Sequence, residues 1–155
     1  MELEYRKATL EDLDILVKTR IEVLRAVNKL GDDEDMSEVE RLSREYYEKA
    51  LVDGTHTACL VFDGDEVVGA GGMSYYTIMP TYHNPTGKKA YVMNMYTRPD
   101  HRRKGIAYRT LDLLVRDAKA RGITFISLEA TDMGRPLYEK YGFIAMSTEM
   151  ELPEE

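Results

Sequence analysis

The 155-residue sequence is poor in cysteine, in histidine and in long apolar runs. A single cysteine cannot form an intrachain disulfide, so we expect a protein of the reducing cytoplasm. No apolar run approaches the ~20 residues that a helix needs to cross a bilayer, and the acidic start, Met-Glu-Leu-Glu-Tyr, lacks the pattern of a secretory signal. The three histidines lack metal-ligand spacing, and we expect no metal site.

Positive charge is also scarce, except in one segment. The chain has a net charge of −7, yet residues 90–121 carry 8 Lys/Arg against 3 Asp/Glu. A nucleic-acid binder usually needs an extended basic face, so we consider that function and find it disfavoured. A basic island in an acidic protein favours one local anionic ligand. The length fits one domain, residues 1–155.

The basic island centres on the sequence Met-Tyr-Thr-Arg-Pro-Asp-His-Arg-Arg-Lys-Gly-Ile-Ala, residues 95–107. A strand-like run ends at Arg98-Pro99, and a helical pattern begins just after Gly105. The first amides of a helix have no intrahelical partner and attract anions, and a glycine lets a ligand approach the backbone. We therefore predict a phosphate-binding turn. The alternative is an ordinary solvated basic turn.

Hydrophobic periodicity predicts ten elements in the order β-α-α-β-β-β-α-β-α-β. The antiparallel hairpins come first and a right-handed β-α-β crossover follows, which indicates a mixed sheet with helices on both faces. The first strand lacks the glycine-rich turn of a dinucleotide-binding fold. The predicted strands span residues 3–7, 57–62, 66–76, 90–97, 123–130 and 144–152, and the predicted helices span residues 10–29, 37–51, 105–121 and 134–141.

Two sequence blocks carry a resemblance to a known family. The run from Arg102 through Gly105 to Ala107 matches a signature of Gln or Arg, two residues, Gly, one residue, then Gly or Ala. The run Leu137-Tyr138-Glu-Lys-Tyr-Gly142-Phe143 is similar to a Leu-Tyr-x-x-x-Gly-Phe block before a last strand. In this order the blocks resemble the GCN5-related N-acetyltransferase (GNAT) superfamily. The resemblance implies an α/β (α+β) domain: a mixed, mostly antiparallel sheet of six to seven strands, four flanking helices, and a splayed strand pair that forms an acetyl-CoA wedge.

The resemblance also implies site residues. The amide of Met95 would donate to the thioester carbonyl, and Tyr138 would protonate the departing thiolate, for which a phenol of ordinary pKa near ~10 is suitably protonated at pH 7. The alternative is that Tyr138 has no catalytic role and only packs its ring in the fold. The residues implied in acetyl-CoA binding are Met95, Tyr96, Thr97, Arg102, Arg103, Lys104, Gly105, Ile106 and Ala107.

The proton acceptor for the amine stays open in the sequence. Candidates are Glu129, Asn94, Asp132 and Tyr96, and a chain of water molecules is an alternative. Many family members have an asparagine near the position of Thr131, and this chain has no asparagine there. Arg135 is a further candidate for contact with CoA or with an acidic group of the substrate.

The resemblance implies an N-acetyltransferase that moves an acetyl group from acetyl-CoA to a primary amine by direct attack in a ternary complex. The alternative is a CoA-binding sensor or inactive partner with the same fold. The acceptor, a small molecule or a peptide amine, would approach the first two helices and the loop of residues 77–89. The alternation in residues 144–152 predicts a terminal strand at the sheet edge, and a homodimer through that edge is one option.

Overall fold

The computed structural model describes residues 2–154, so Met1 and Glu155 lie outside the described part of the predicted 1–155 domain. These residues form one five-stranded sheet with strand order β1-β2-β3-β4-β5. Neighbouring strands are antiparallel except β4 and β5, which are parallel. The elements are β1 Leu3–Lys7, a 3-10 turn Leu10–Asp12, α1 Leu13–Asn28, α2 Ser37–Asp53, β2 His56–Asp63, β3 Glu66–Thr77, β4 Lys88–Thr97, a 3-10 turn Pro99–His101, α3 Ile106–Ala120, β5 Ile126–Leu128 and α4 Arg135–Tyr141.

The helices cover both faces of the sheet. Alternate side chains of a strand point to opposite faces, and buried clusters form on both faces in this way. On one face α1 and α2 pack on the sheet around Leu16, Val17, Tyr47 and Leu60. On the other face, side chains of α3 and α4 pack against a core centred on Met73. The mixed α/β class with four α-helices is confirmed, and no helix within residues 2–154 could cross a membrane.

The predicted terminal strand is wrong. Residues 144–152 pair with no strand among the described residues, and the chain bends at Ser147–Thr148. The sheet therefore has five strands rather than six to seven. Alternation identifies residues that share a face, but it does not supply a partner strand or a core to cover that face. Four apolar side chains of this segment are exposed, by 88%, 59%, 98% and 93% respectively: Ile144, Met146, Met150 and Leu152.

Candidate active site

The two parallel strands β4 and β5 separate part-way along the sheet. They pair at Ala90↔Ile126, Tyr91↔Ser127 and Val92↔Leu128, and the register ends there. Beyond Val92, β4 continues to Thr97 without β5 beside it. A cavity of about 620 Å³ lies at this separation, lined by the end of β4, the start of α3, α1, and the chain from residue 129 through α4. The wedge expected between splayed strands is present.

A β-bulge shapes the β4 wall of the cavity. The register of β3 and β4 shifts between Ala70 and Gly72, so that Asn94 and Met95 together lie opposite Gly71. Asn94 has φ of 59°, which is uncommon for a residue other than glycine. Such a bulge interrupts the ladder and redirects the backbone locally. Both bulge residues line the cavity.

Thr97, the last residue of β4, has an unusual hydroxyl. Its Oγ1 atom is buried and has no hydrogen-bond partner among the described residues, although the residue lines the cavity. A buried hydroxyl without a partner is costly, and such groups in native proteins call for an explanation. A ligand in the wedge that hydrogen-bonds at this position would provide one.

The basic turn leads into α3 with its amides free. Arg103 and Gly105 have φ of 65° and 78°, and Gly105 occupies the N-cap position of α3 without any side-chain cap. The first turn of α3 has no acidic residue. Within residues 2–154, none of the amides of residues 103–107 donates a hydrogen bond outside regular structure. The first amides of α3 and its positive helix end therefore have no side-chain cap from the described residues, an arrangement suited to phosphate.

The cations of this turn divide into paired and unpaired ones. Arg98 bonds Glu66 at 3.2 Å and Asp100 at 2.8 Å, so its charge is neutralised within the protein. In contrast, Arg102, Arg103 and Lys104 take part in none of the ion pairs within residues 2–154. The three are exposed, and their charges are available to an anion.

Most predicted donor-site residues line this one cavity. Met95, Tyr96, Thr97, Arg102, Arg103, Gly105, Ile106, Ala107 and Tyr138 belong to its wall. Lys104 is exposed and does not line the cavity.

His101 anchors the basic turn, a role that the sequence did not indicate. Its ring is buried, and its two nitrogens lie 2.9 Å from Asp63 and 2.8 Å from Asp100. The hydrogen bonds with Asp63 and then Asp100 raise the pKa of His101 above its usual value. Hydrogen bonds from Arg98 and His101 lower the pKa of Asp100 to about 2. This network ties the turn to the end of β2.

Tyr138 is held over the cavity by the docking of α4 on α3. The Tyr141 hydroxyl donates to Asp112 Oδ1 of α3 at 2.7 Å, which fixes the end of α4. The Tyr138 ring packs edge-on against Phe143 with a centroid distance of 6.0 Å. Burial raises the pKa of Tyr138 above its usual value, so its hydroxyl carries a proton throughout the neutral range. The hydroxyl makes no hydrogen bond within residues 2–154 and remains available.

The candidate proton acceptors differ in position. Glu129, Asn94 and Tyr96 line the cavity, whereas Asp132 does not. Glu129 follows β5 directly, on the opening side of the wedge. Arg135 lies outside the wedge: it borders a second cavity beside β5 and is 3.9 Å from Glu139.

Arg20 is a cavity residue that the sequence analysis missed. It lies on α1, is half-buried, lines the wedge, and donates from Nη1 to Asn94 Oδ1 at 3.1 Å. A signal was present in the sequence. Leu16, Arg20, Val23 and Val27 follow the spacing of the apolar face of α1, and a charged residue on such a face is unusual.

Comparisons with known proteins agree with this geometry. A model of the acetyltransferase (GNAT) family matches residues 24–143. The crystal structure, with acetyl-CoA, of a predicted acetyltransferase from Clostridium acetobutylicum has a TM-score of 0.89 and 33% identity, covering 98% of this chain and 96% of that one. A GCN5-related N-acetyltransferase from Ralstonia eutropha JMP134 has a TM-score of 0.83 and 26% identity, covering 99% of each chain.

A curated relative is similar over a shorter stretch. The uncharacterized N-acetyltransferase YsnE of Bacillus subtilis is 32% identical over 87 residues, which make up 53% of this chain and 52% of that protein. The match thus spans about half the length of this relative.

Proposed function

The chain belongs to the acetyltransferase (GNAT) family, and from this premise we propose that it transfers an acetyl group from acetyl-CoA to a primary amine of a small molecule or peptide, by direct attack in a ternary complex. One observation carries the proposal. Within residues 2–154, the cavity between the separating strands is lined by the bulge residue Met95, by Thr97 with its unpartnered hydroxyl, by the first residues of α3 and by Tyr138, which also borders the second cavity.

The residues on the cavity wall suit acetyl-CoA as the acyl donor. The amides at the start of α3, with Arg102 and Arg103, would hold its pyrophosphate, because α3 has no side-chain cap and the two arginines form no ion pair within residues 2–154, although Arg102 Nε donates to the Thr97 carbonyl at 3.4 Å. The Thr97 hydroxyl and the adjoining β4 edge at Tyr96 would bond the amides of its pantetheine arm. Acetyl-CoA supplies a thioester, whose carbonyl carbon accepts the amine.

Two groups would act on the reacting atoms. The Met95 amide lies in the bulge and would donate to the thioester oxygen, on which negative charge grows as the amine attacks. A fixed donor of this kind is worth ~3 kcal/mol in comparable sites. The Tyr138 hydroxyl would give its proton to the departing thiolate, and its raised pKa keeps that proton in place before transfer.

Glu129 is our candidate for the group that takes the amine proton, directly or through water. Its side chain lines the cavity, whereas Asp132 lies outside the lining. Asn94 and Tyr96 also line it, but neither an amide nor a protonated phenol accepts a proton readily at pH 7.

A panel of amines tests the proposal. Purified protein is mixed with acetyl-CoA and polyamines, aminoglycosides, amino-acid derivatives and short peptides, and free thiol release is followed together with the mass of the acetylated product. We expect acetylation of at least one class. Tight acetyl-CoA binding without acetylation of any amine would instead favour a CoA-binding sensor.

We also propose that the chain forms a homodimer. The terminal strand 144–152, through which pairing was expected from the sequence, does not form among the described residues, so the two copies would pair at the sheet edge of β5 instead. Among the described residues no strand covers this edge, and exposed apolar side chains such as Ile144, Met146 and Met150 lie in the segment that follows α4. Glu149 and Glu151 oppose close pairing of two copies. Light scattering at micromolar concentration decides: a mass near 17.8 kDa would indicate a monomer.

We further propose that residues 1–155 act as one domain in the cytoplasm. In this case thermal unfolding of the whole chain should show one cooperative transition, followed alike by far-UV and near-UV circular dichroism. Two separate transitions would argue for independent units.

A further inference from the structure

Arg20 places a positive charge in the wall of the wedge cavity. It lies on α1 between Leu16, which is buried, and Val23, which lines the cavity together with Arg20. The backbone of α1 holds it on the sheet-facing side of the helix, where the Nη1 atom donates to Asn94 Oδ1 at 3.1 Å. This arrangement fixes the direction of the guanidinium toward the bulge of β4.

The charge of Arg20 is not neutralised by the protein. Within residues 2–154 it takes part in no ion pair, although nearby Arg44 bonds Asp14 at 2.9 Å. Among residues 2–154, its one hydrogen-bond partner is a neutral amide, and a guanidinium has five N–H donors. The pKa of buried His56 is lowered by burial and, in addition, by the Arg20 charge. A half-buried, uncompensated arginine in a cavity wall is suited to bind an anionic group.

Glu129 provides the opposite charge in the same cavity. Leu128 of β5 packs against the core under α3, and the next residue, Glu129, lines the same cavity as Arg20. The donor-binding amides at residues 103–107 lie at the start of α3, and α3 packs on the face of the sheet opposite α1. Arg20 and Glu129 thus offer a cation and a carboxylate to the same cavity.

We propose that the acceptor is an amine that also carries an acidic group, a carboxylate or a phosphate, and that Arg20 binds this acidic group while the amine lies toward Glu129. This inference rests on the proposed acetyl transfer and adds the substrate class to it. It narrows the candidate amines to those that also carry a negative charge. The net negative charge of the chain does not by itself predict such a substrate.

Matched acceptors test the inference. Each amino acid of a panel is compared with its methyl ester and its amide, and aminoalkyl phosphates are compared with the corresponding amino alcohols. Kinetics with acetyl-CoA are measured for the wild type, Arg20→Gln, Arg20→Lys and Lys18→Gln. Lys18 is an exposed cation of the same helix that does not line the cavity, so its variant controls for the change of net charge.

We expect the wild type to prefer the acidic member of a pair by at least ~10-fold in kcat/KM, and Arg20→Gln to lower kcat/KM for that member by ~30-fold or more. The neutral member and the KM of acetyl-CoA should change by less than about threefold, and Lys18→Gln should resemble the wild type. Arg20→Lys keeps the charge but loses the planar fork, and we expect an intermediate loss. The carboxylate and phosphate series separate the two acidic groups.

Several results would overturn the inference. One such result is that the wild type has equal kcat/KM for the acidic and the neutral member of a pair. Another is that Arg20→Gln lowers kcat/KM equally for both members, which would mean that Arg20 supports the bulge and does not bind the acidic group. A raised KM for acetyl-CoA in Arg20→Gln would place Arg20 at the donor. Acetylation of neutral amines alone would reject the inference and leave the proposed function standing, whereas no acetylation at all would reject both. If Arg20→Gln does not fold, the Arg20→Lys series is decisive.

Discussion

Replacing Gly105 by glutamate tests the phosphate-binding turn, because the structure separates its effect on folding from its effect on binding. A Cβ at Gly105 would meet no atom within 4 Å, so the substitution causes no clash in the free protein. The backbone has φ of 78°, where an L side chain costs ~1–2 kcal/mol. In a chain of this length that cost lowers Tm by roughly 2–8 °C, which leaves the protein folded.

The expected loss of acetyl-CoA affinity is larger. The new carboxylate would lie beside the amides of residues 103–107, where phosphates are proposed to bind. Two negative charges ~5 Å apart repel by about 3 kcal/mol at an effective dielectric constant near 20. Since about 1.4 kcal/mol corresponds to a tenfold change, we expect Kd to rise by at least ~100-fold. Titration calorimetry at one fixed salt concentration measures this.

Gly54→Glu is a matched control. Gly54 ends α2 with φ of 79°, its Cβ position is also open, and it does not line the cavity. It therefore carries the same backbone cost and the same change of charge. We expect both variants to stay folded, with Gly54→Glu the less stable because its carboxylate lies at a helix C-terminus, and only Gly105→Glu to lose acetyl-CoA binding. An unchanged Kd in folded Gly105→Glu, or equal losses of affinity in both variants, would refute the assignment of the turn.

Three further predictions concern single side chains. Tyr138→Phe should lower kcat by ~10²-fold with little change in the KM of acetyl-CoA, since proton donation acts in the transition state; steady-state kinetics within about threefold of wild type would make it a packing residue. Thr97→Val removes an unpartnered hydroxyl, so Tm should hold or rise while the Kd of acetyl-CoA rises ~3–10-fold by calorimetry, and an unchanged Kd would count against the role of Thr97. Because the pKa of His101 is raised above 6.5 in the folded protein, its stabilising contribution is full below pH 6.5 and is lost as pH rises through the folded-state pKa. The free energies of unfolding by urea of the wild type and His101→Gln should therefore differ most at acidic pH and become similar at alkaline pH. A difference in unfolding free energy that does not change with pH would contradict this.

Local patterns predicted much of the sheet and the donor site. The first strand, residues 3–7, was predicted with the bounds that it has, and the strand-turn-helix around Gly105 formed as expected. These features depend on residues that are near in sequence: an apolar alternation, a glycine that takes positive φ, and a helix start without an acidic cap. Such local signals do not depend on contacts with distant parts of the chain.

Features that depend on distant contacts were not predictable in the same way. The predicted strand 123–130 is reduced to Ile126–Leu128, and its C-terminal end is lost because pairing with β4 stops where the wedge opens. The predicted strand 144–152 found no partner. The bulge at Asn94, the buried His101 network and the bond from Arg20 to Asn94 all join residues far apart in the chain. Periodicity indicates which residues share a face of an element, but it does not indicate which other element packs against that face.

Acetyl-CoA is proposed to bind in the wedge between β4 and β5, and a crystal structure of the complex would show where it lies. We predict the pyrophosphate at the amides of residues 103–107, the pantetheine arm beside Thr97, and the thioester between the Met95 amide and the Tyr138 hydroxyl. Acetyl-CoA bound elsewhere, for example in the second cavity beside β5 and Phe143, would refute the proposed donor site.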